Sequence, residues 1–401
     1  MAIICNVHQF GEYFILETQT GELAFLTEVQ YRILYFYSIS KSASQTCDKI
    51  LKYYNLEDES ADVIRENVSD FIKNAARMNL TFDSIYVTGE SKKYYPRVLN
   101  IEITNKCNFF CSHCYKNAKC TNHNYLDLKF FERFVELFKG KISTLNLTGG
   151  EPCINPDFKK ILRLLYDAGF TINLTSNASL IDTLTEDELG YLSNIQISLY
   201  GFDEDSFGVI TGSDKKLFYR VIENIKTLVK LGKRVTIGTV INKYVLANSD
   251  KFIEVVKGLG VFRLLLSPCV LEGRANENTN LWMVSENEID SFMQKLKESE
   301  IGDLIAYSND QSYFDIKTEH EEIGCGAGYL SYGISEKGIV YHCISLEGDI
   351  FEVGSIENLA NRCQTKNLDL MSRLNKCYNQ KVRFLMCPML EEIYEKVSSK
   401  K

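Results

Sequence analysis

Three cysteines stand close together in the segment Cys107-Asn-Phe-Phe-Cys111-Ser-His-Cys114. Thiolates are the protein ligands of iron–sulfur clusters and of many structural zinc ions. A [4Fe–4S] cluster that is bound by cysteine alone takes four thiolates, so three would leave one iron open to a small molecule. A structural zinc ion would need a fourth protein ligand, which His113 or Cys120 could supply. The spacing by itself leaves both kinds of site open.

The three cysteines and a second segment of interest each follow a predicted strand. The stretch Val98-Leu-Asn-Ile-Glu-Ile-Thr104 alternates in polarity and predicts a strand, which puts the three cysteines on the loop that leaves it. The next predicted strand, at 143–148, ends in Gly149-Gly150-Glu151-Pro152. In parallel barrels the chemistry sits at the carboxyl ends of the strands, and both segments fall there.

The two segments together resemble the motifs of radical S-adenosylmethionine (SAM) enzymes. Cys-x3-Cys-x2-Cys after the first strand is similar to the signature of that family, and Gly149-Gly150-Glu151-Pro152 is similar to its motif for the amino group of SAM. His113 departs from the pattern, since the residue before the third cysteine is usually aromatic. The resemblance implies that Cys107, Cys111 and Cys114 hold a [4Fe–4S] cluster whose open iron chelates SAM. One electron then cleaves SAM to a 5′-deoxyadenosyl radical, which takes a hydrogen atom from the substrate.

Strand and helix patterns alternate from residue 97 onward, and this alternation predicts an α/β fold with parallel strands and right-handed crossovers. Six such units resemble the (β/α)6 partial TIM barrel of the family. The six predicted strands are at 98–104, 143–148, 170–175, 195–199, 235–240 and 262–266. Ser176 and Asn177 follow the third strand and Ser198 ends the fourth. The resemblance implies that they bind the ribose, carboxylate and adenine of SAM, although such residues also cap ordinary turns.

The first 85 residues predict a separate α+β domain. Three short strands with Gly11 and Gly21 at their turns form an antiparallel meander, and three helices follow, the first capped by Thr27. This order resembles the winged-helix-like recognition element that binds the leader of ribosomally made peptides. Binding would add a strand to the exposed edge of the meander, with a groove against the third helix. A winged-helix module with another ligand and a mere packing domain are the alternatives.

A second group of cysteines lies towards the C-terminus. The segment from Cys325 to Cys343 predicts a hairpin and is similar to the opening of the SPASM extension, or of its shorter form called twitch, which hold auxiliary iron–sulfur clusters. The later part of that pattern is incomplete, and Gln380 stands where one further cysteine would be. We expect one auxiliary [4Fe–4S] cluster on four cysteines: Cys325, Cys343, Cys377 and Cys387. Two auxiliary clusters, or a structural zinc ion on the same four thiolates, remain as alternatives.

The remaining cysteines carry weaker expectations. Cys269 follows the sixth strand, where it could donate a hydrogen atom or touch the substrate, but such a cysteine is more often a small buried hydrophobe. The same expectation holds for Cys120 and Cys153. Cys5 and Cys47 are expected to pack inside the first domain. Cys363 lies in a predicted helix at 358–363.

Length and composition bound the other possibilities. At 401 residues the chain predicts two or three domains. We expect recognition of a peptide at 1–85, a linker at 86–96, the radical SAM barrel at 97–275, a bridging helical region at 276–323 and an auxiliary cluster domain at 324–401. Because there is no membrane-length apolar run and no signal pattern, we expect a cytoplasmic protein. A net charge of −8 argues against nucleic acid, and thirteen cysteines in such a chain favour metal binding or catalysis over disulfides.

The predicted function is that of a radical SAM maturase of a ribosomally synthesised precursor peptide, of the ranthipeptide or sactipeptide type. An intramolecular thioether crosslink is the first expectation. A carbon–carbon or ether crosslink, a peptide epimerase with Cys269 as the hydrogen donor, and modification of another protein or of a small molecule are the alternatives. A leader-binding scaffold without activity is disfavoured by the intact motifs. The resemblance also implies an electron donor such as flavodoxin or ferredoxin.

Overall fold

Two sheets organise the protein. The computed structural model describes residues 4–17, 23–56, 61–77, 83–269, 272–307, 326–345 and 351–365. A four-stranded sheet has the order β3-β2-β1-β4, and a ten-stranded sheet has the order β11-β10-β9-β8-β7-β6-β5-β12-β13-β14. The strands are β1 (Ile4–Gly11), β2 (Tyr13–Glu17), β3 (Leu23–Leu26), β4 (Ser84–Ser91), β5 (Val98–Glu102), β6 (Thr144–Thr148), β7 (Thr171–Ser176), β8 (Leu192–Ser198), β9 (Val235–Val240), β10 (Arg263–Ser267), β11 (Ile305–Tyr307), β12 (Ser331–Ile334), β13 (Val340–Tyr341) and β14 (Glu352–Gly354).

The helices of the described residues lie between these strands. In the first unit they are α1 (Glu28–Ser40), α2 (Ala43–Tyr54) and α3 (Ala61–Arg77). Along the large sheet they are α4 (Leu128–Phe138), α5 (Phe158–Asp167), α6 (Glu186–Gly190), α7 (Glu204–Thr211), α8 (Leu217–Lys230), α9 (Lys243–Ala247), α10 (Ser249–Leu259), α11 (Thr279–Trp282), α12 (Glu286–Lys297) and α13 (Ile356–Arg362). None of the described helices is both long and apolar enough to cross a membrane.

The first sheet contains the predicted meander and one strand more. β1, β2 and β3 pair antiparallel, and Thr27 caps α1 in a capping box with Gln30, as the sequence indicates. Phe14 stacks on Tyr31 with ring centroids 4.1 Å apart, which fastens β2 to α1. β4 pairs in parallel with β1. Residues 86–91, which the sequence analysis placed in the linker, therefore belong to this sheet.

The large sheet confirms the predicted α/β partial barrel. Its eight strands from β11 to β12 pair in parallel, and β5 to β10 correspond to the six predicted strands. Phe131, Phe134 and Phe138 of α4 are completely buried in the same core as Leu99 and Ile101 of β5. β7 and β10 alternate in burial along their whole length, because one face meets the helices and the other lines the barrel interior.

The interior carries a polar row where a closed barrel would pack apolar side chains. Asn146 donates a hydrogen bond to Asn100 and receives one from Asn173, each at 2.9 Å. The three asparagines lie opposite one another on β5, β6 and β7 and are only partly buried. The interior beneath the strand ends is therefore polar and accessible.

The C-terminal part joins the large sheet rather than standing apart from it. β12 pairs in parallel with β5, the strand that carries the cysteine loop, and β13 and β14 extend the sheet antiparallel. At the other edge β11 pairs with β10, so the region predicted as helical at 276–323 also contains a strand. The predicted hairpin thus has a defined place, beside the first strand of the barrel.

The two sheets are in direct contact. His8 of β1 is buried, and its ring nitrogens lie 3.0 Å from the Thr88 hydroxyl and 2.8 Å from the Tyr95 carbonyl. Burial lowers the pKa of His8 to about 4. Phe10 and Tyr94 pack in one apolar group with Tyr329, which precedes β12. The first sheet is therefore held against the barrel and the C-terminal hairpin.

Candidate active site

The loop after β5 is closed at its base. Isolated bridges join Thr104 to Tyr125 and Lys106 to Lys119. Between them lie Cys107, which is buried, and Cys111 and Cys114, which are half-buried; all three are free thiols. The loop thus brings three thiols to the carboxyl end of β5, as the sequence predicts.

Two of the three sulfur atoms accept hydrogen bonds from nearby donors. The amides of Phe109 and Ala118 donate to Cys107 Sγ and Cys114 Sγ, each at 3.4 Å. The amide side chain of Asn177 donates to Cys107 Sγ at 3.9 Å. Burial raises the pKa of Cys107 to about 12 and that of Cys111 well above its usual value, and the neighbouring cysteines add to both shifts. A positively charged iron centre would favour the thiolates instead, and N–H donors to the sulfurs are typical of iron–sulfur sites.

The geometry fits a cluster better than a single zinc ion. Among the described residues no three His, Cys, Asp or Glu side chains converge on one metal position. Cys120 is exposed, contrary to the expectation that it is buried, because it lies in a turn of the loop. His113 is buried against Tyr200 and Trp282, with ring centroids 4.1 and 4.4 Å apart. Neither alternative fourth zinc ligand joins the thiols in such a group within the described residues, whereas each thiolate of a [4Fe–4S] cluster needs only its own iron.

The Gly-Gly-Glu-Pro segment lies directly along the start of the cysteine loop. Gly150 N–H donates to Thr104 O at 2.7 Å, and Glu151 N–H donates to Lys106 O at 2.8 Å. A Cβ on Gly149 would lie 2.3 Å from Thr104 O, and a Cβ on Gly150 would lie 2.2 Å from Lys106 O. Only glycine permits this approach, so the structure places the two motifs side by side.

Glu151 has its partners inside the protein. Its completely buried carboxylate accepts hydrogen bonds from the Ser176 hydroxyl at 2.9 Å, from Asn177 N–H at 2.8 Å and from Cys153 N–H at 3.2 Å. Burial raises the pKa of Glu151. Pro152 is buried at the first position of a short 3-10 helix, Pro152–Ile154. Glu151 and Ser176, both predicted to contact SAM, therefore hold the ends of β6 and β7 together.

Asn177 braces the loop from the end of β7. Its side chain donates to Asn108 Oδ1 at 2.9 Å and accepts from Ser179 N–H at 2.9 Å, while Asn108 donates to the Ser179 hydroxyl at 2.7 Å. Ser198 is half-buried at the end of β8, and its hydroxyl lies close enough to that of Tyr200 to lower the pKa of Tyr200, which burial raises. The predicted residues on β7 and β8 thus line up next to the cysteine loop.

An ion pair with no signal in the sequence, formed by a buried glutamate and a partly buried lysine, lies beside the cysteine loop. Glu102, the last residue of β5, is 2 % exposed, and its carboxylate lies 3.0 Å from Lys116 Nζ. Tyr115 O–H also donates to it at 3.4 Å. The ring of Tyr115 is partly exposed, but desolvation around its hydroxyl raises its pKa well above the usual value, with further contributions from Glu102, Cys114 and Cys343. A glutamate within an alternating strand carries no signal for such a pair.

The C-terminal cysteines are only partly described. The predicted hairpin is present as β12 and β13, and its turn is closed by Gly338 N–H donating to Ser335 O at 2.9 Å. Cys343 is half-buried and accepts from Ser345 N–H at 3.4 Å. Three of the four predicted ligands lie outside the described residues: Cys325, Cys377 and Cys387.

The other cysteines follow their expectations in most cases. Cys47, Cys269 and Cys363 are buried, and Cys153 is half-buried. Cys269 packs with Ile210, Ala275 and Trp282, and burial raises its pKa to about 12. The side chain of Cys5 is outside the described part of the chain.

Comparison with known proteins extends this description. Residues 101–256 match the family model of the Radical SAM superfamily. A probable GTP 3′,8-cyclase of Saccharolobus solfataricus is 35% identical over 170 residues, which are 41% of this chain and 54% of that protein, so the chain spans about half the length of that relative. The sporulation killing factor maturation protein SkfB of Bacillus subtilis is 25% identical over 386 residues, which are 90% of this chain and 88% of SkfB.

Solved structures share the fold. Streptococcus suis SuiB bound to S-adenosylmethionine aligns with a TM-score of 0.63 at 17% identity, over 94% of this chain and 91% of SuiB. SuiB bound to its precursor peptide SuiA aligns with a TM-score of 0.62 at 16% identity, over 93% of this chain and 89% of that one. Proteins of the superfamily bind a [4Fe–4S] cluster and SAM. The family match, the cysteine loop and the Gly-Gly segment agree, and the chain contains a radical SAM domain.

Proposed function

We propose that the protein is a radical SAM maturase of a ribosomally synthesised precursor peptide and that it forms an intramolecular thioether crosslink. The observation that carries the proposal is the similarity to the maturation protein SkfB over 90% of this chain. That match extends far beyond the barrel, whereas the similarity to the GTP cyclase covers 41% of the chain. A peptide substrate therefore accounts for more of the molecule than a nucleotide does.

Cys107, Cys111 and Cys114 would hold the [4Fe–4S] cluster, and the backbone at Gly149 and Gly150 would receive the amino group of SAM. When bound, the cluster supplies the electron that cleaves SAM to the radical that abstracts a hydrogen atom. The chain itself would hold the strand ends around the site in fixed positions. Glu151 ties the ends of β6 and β7 together.

The side chains at the strand ends would orient SAM and shield the site. Ser176, Asn177 and Ser198 would face it from β7 and β8. His113, Tyr200 and Trp282 form a buried aromatic wall on the other side of the loop. Such a wall would exclude water and other quenchers from a reactive radical.

The first sheet would bind the leader of the precursor peptide. β4 lies on the barrel side, where Gly89 N–H donates to Gly140 O at 3.0 Å. In the described residues β3 is the other edge and pairs only with β2, so a leader strand would add at β3, beside α3. Holding the leader there would raise the local concentration of the core peptide at the barrel mouth.

The C-terminal hairpin would carry a second redox centre. Cys325, Cys343, Cys377 and Cys387 are the proposed ligands of an auxiliary [4Fe–4S] cluster. Cys343 lies two residues after β13, in the hairpin whose first strand, β12, pairs with β5. It is within electrostatic reach of Tyr115, which follows the third cysteine of the loop. Forming a thioether removes two hydrogens from the peptide, and an auxiliary cluster would take the second electron or bind the substrate thiolate.

Mass spectrometry tests the proposal. Anaerobically reconstituted enzyme is incubated with SAM, a reductant and the small peptide that is encoded beside its gene. We expect a loss of two hydrogens, with fragments that place the bond at a cysteine sulfur. A crosslink without sulfur would replace the thioether by a carbon–carbon or ether bond. One deuteron gained in heavy water, with no change in ordinary water, would indicate an epimerase.

A deletion of residues 1–85 tests the leader-binding role separately. Tight binding of the precursor peptide should be lost, while slow cleavage of SAM without peptide should persist. Because β4 begins at Ser84 and pairs with β1, a second variant ending the deletion at residue 91 guards against a misfolded remnant. Unchanged affinity for the peptide in both would refute the role.

A further inference from the structure

A buried arginine behind the cysteine loop has no part in the function described so far. Arg274 lies in a short 3-10 helix, Gly273–Glu277, and is 6 % exposed. Its Nε donates to Cys111 O at 2.8 Å and its Nη2 donates to Ala118 O at 2.9 Å. Its guanidinium lies over the Phe110 ring, 4.0 Å from the centroid. Each of these contacts is made to the cysteine loop.

The backbone around Arg274 is shaped to reach that loop. Arg274 N–H donates to Cys114 O at 3.2 Å. Gly273 has a φ of +53°, and a Cβ there would lie 2.5 Å from Cys114 O, so the approach requires glycine. Asn278 and Trp282 donate to the carbonyl and the hydroxyl of Ser112, each at 3.2 Å. The segment from Gly273 to Trp282 therefore acts as a bracket for the loop.

Within the part of the chain that the structure describes, no carboxylate balances the charge of Arg274. No Asp or Glu of the described residues lies within ion-pair distance of it, whereas Lys116, on the same loop, is paired with Glu102. A buried cation without an anion is costly. The groups of opposite charge that could face it are the thiolates of the loop. Arg274 Nε is already bonded to the backbone of Cys111, the middle one of the three.

We propose that Arg274 is the positive counter-charge of the SAM-binding cluster as well as the clamp of its loop. The inference rests on the proposed cluster at Cys107, Cys111 and Cys114. Three thiolates bring three negative charges into a buried site, and each added electron increases the negative charge. A fixed cation behind Cys111 favours the reduced state electrostatically, so Arg274 raises the potential at which the cluster accepts its electron.

Two substitutions separate charge from shape. Arg274→Gln removes the charge, while Arg274→Lys keeps it but loses the planar fork that bonds two carbonyls and stacks on Phe110. A matched control is Arg234→Gln. Arg234 also stacks on a ring, that of Phe262 at 4.3 Å, but it precedes β9 at the opposite end of the strands.

The test is a redox titration of the reconstituted holoenzymes, followed by electron paramagnetic resonance. The signal to follow is the one that changes when SAM is added, since the auxiliary cluster does not bind SAM. At the potential where half of the wild-type cluster is reduced, we expect fewer than about one in ten Arg274→Gln clusters to be reduced, a shift of roughly 59 mV or more for one electron. Arg274→Lys and Arg234→Gln should titrate like the wild type.

Each of the other possible outcomes either supports the proposal or overturns it. A wild-type titration curve in Arg274→Gln would overturn the proposal. Loss of iron from Arg274→Gln but not from Arg274→Lys would support it, since both variants lose the planar fork and only Arg274→Lys keeps the charge. Loss of iron from both variants with the fold intact would reduce Arg274 to a clamp and overturn the counter-charge. If no electron paramagnetic resonance signal of the wild type changed when SAM was added, the proposed cluster itself would be refuted.

Discussion

Within the described residues, the two cysteine-bearing regions beside β5 and β12 show different contacts. The loop after β5 is braced from several elements: the Gly-Gly segment after β6, Asn177 after β7, and the bracket with Arg274. In the hairpin after β12, Cys343 accepts a hydrogen bond from an amide two residues further on. The adjacent His342 makes no side-chain hydrogen bond within the described residues.

The bracing of the first region fits the proposed SAM site, because preorganised groups lose less entropy on binding. Of the four cysteines proposed for the second region, Cys343 lies in the described part of the chain. β12, which opens its hairpin, is the sheet neighbour of β5. The two regions can be disrupted one at a time by substitution.

The largest effect is expected when substitutions disrupt the first region alone. Cys107→Ala together with Cys111→Ala should reduce formation of 5′-deoxyadenosine to background, while iron bound through the C-terminal cysteines remains. Chromatography of the nucleoside and an iron assay measure the two quantities. Undiminished 5′-deoxyadenosine would contradict the assignment of the cluster to this loop.

Breaking the second region should give the opposite pattern. Cys343→Ala should leave SAM cleavage within about a factor of a few while abolishing the crosslinked peptide, because hydrogen abstraction depends on the first site and the second electron on the other. The product is measured by mass spectrometry beside the nucleoside. If Cys343→Ala retained full crosslinking, Cys343 would have no role in the second centre. Cys363→Ala, buried at the end of α13, serves as a control for substitution of a cysteine.

The third prediction concerns the ion pair beside the cysteine loop. Glu102→Gln removes the buried anion that lies 3.0 Å from Lys116 Nζ, and breaking a buried pair typically costs about 3 kcal/mol or more. We expect the free energy of unfolding in urea to fall by that amount. Replacing Lys116 by Met as well should restore most of the loss. Equal stability of Glu102→Gln and the wild type would show that the pair is solvated.

The smallest expected effect concerns the approach of the two motifs. In Gly150→Ala the new methyl group would meet Lys106 O at 2.2 Å, so the Gly-Gly segment must move away from the loop. We expect the Kd for SAM to rise about tenfold, which corresponds to 1.4 kcal/mol. Titration calorimetry under anaerobic conditions measures it. Gly190→Ala, where a Cβ meets nothing within 4 Å, is the control and should bind SAM like the wild type.

Several features were predictable because their signals are local. The six barrel strands follow from period-two alternation, and the cap at Thr27 follows from a single residue before an apolar pattern. β4 has eight residues but only one of them is buried, so it shows no alternation of apolar and polar residues, and its residues 86–91 read as part of a linker. β11 has only three residues, too few for a pattern within a region predicted as helical.

The sequence by itself determined the chemistry: three cysteines at a fixed spacing, two glycines after the next strand, and alternating strands and helices that bring both to one edge of a sheet. Tertiary structure alone decided which groups surround that chemistry. The pairing of β12 with β5, the partners of Glu151 and the position of Arg274 behind Cys111 all join residues that are distant in the chain. Local periodicity holds no information about such contacts, because they form only when distant strands assemble into one sheet.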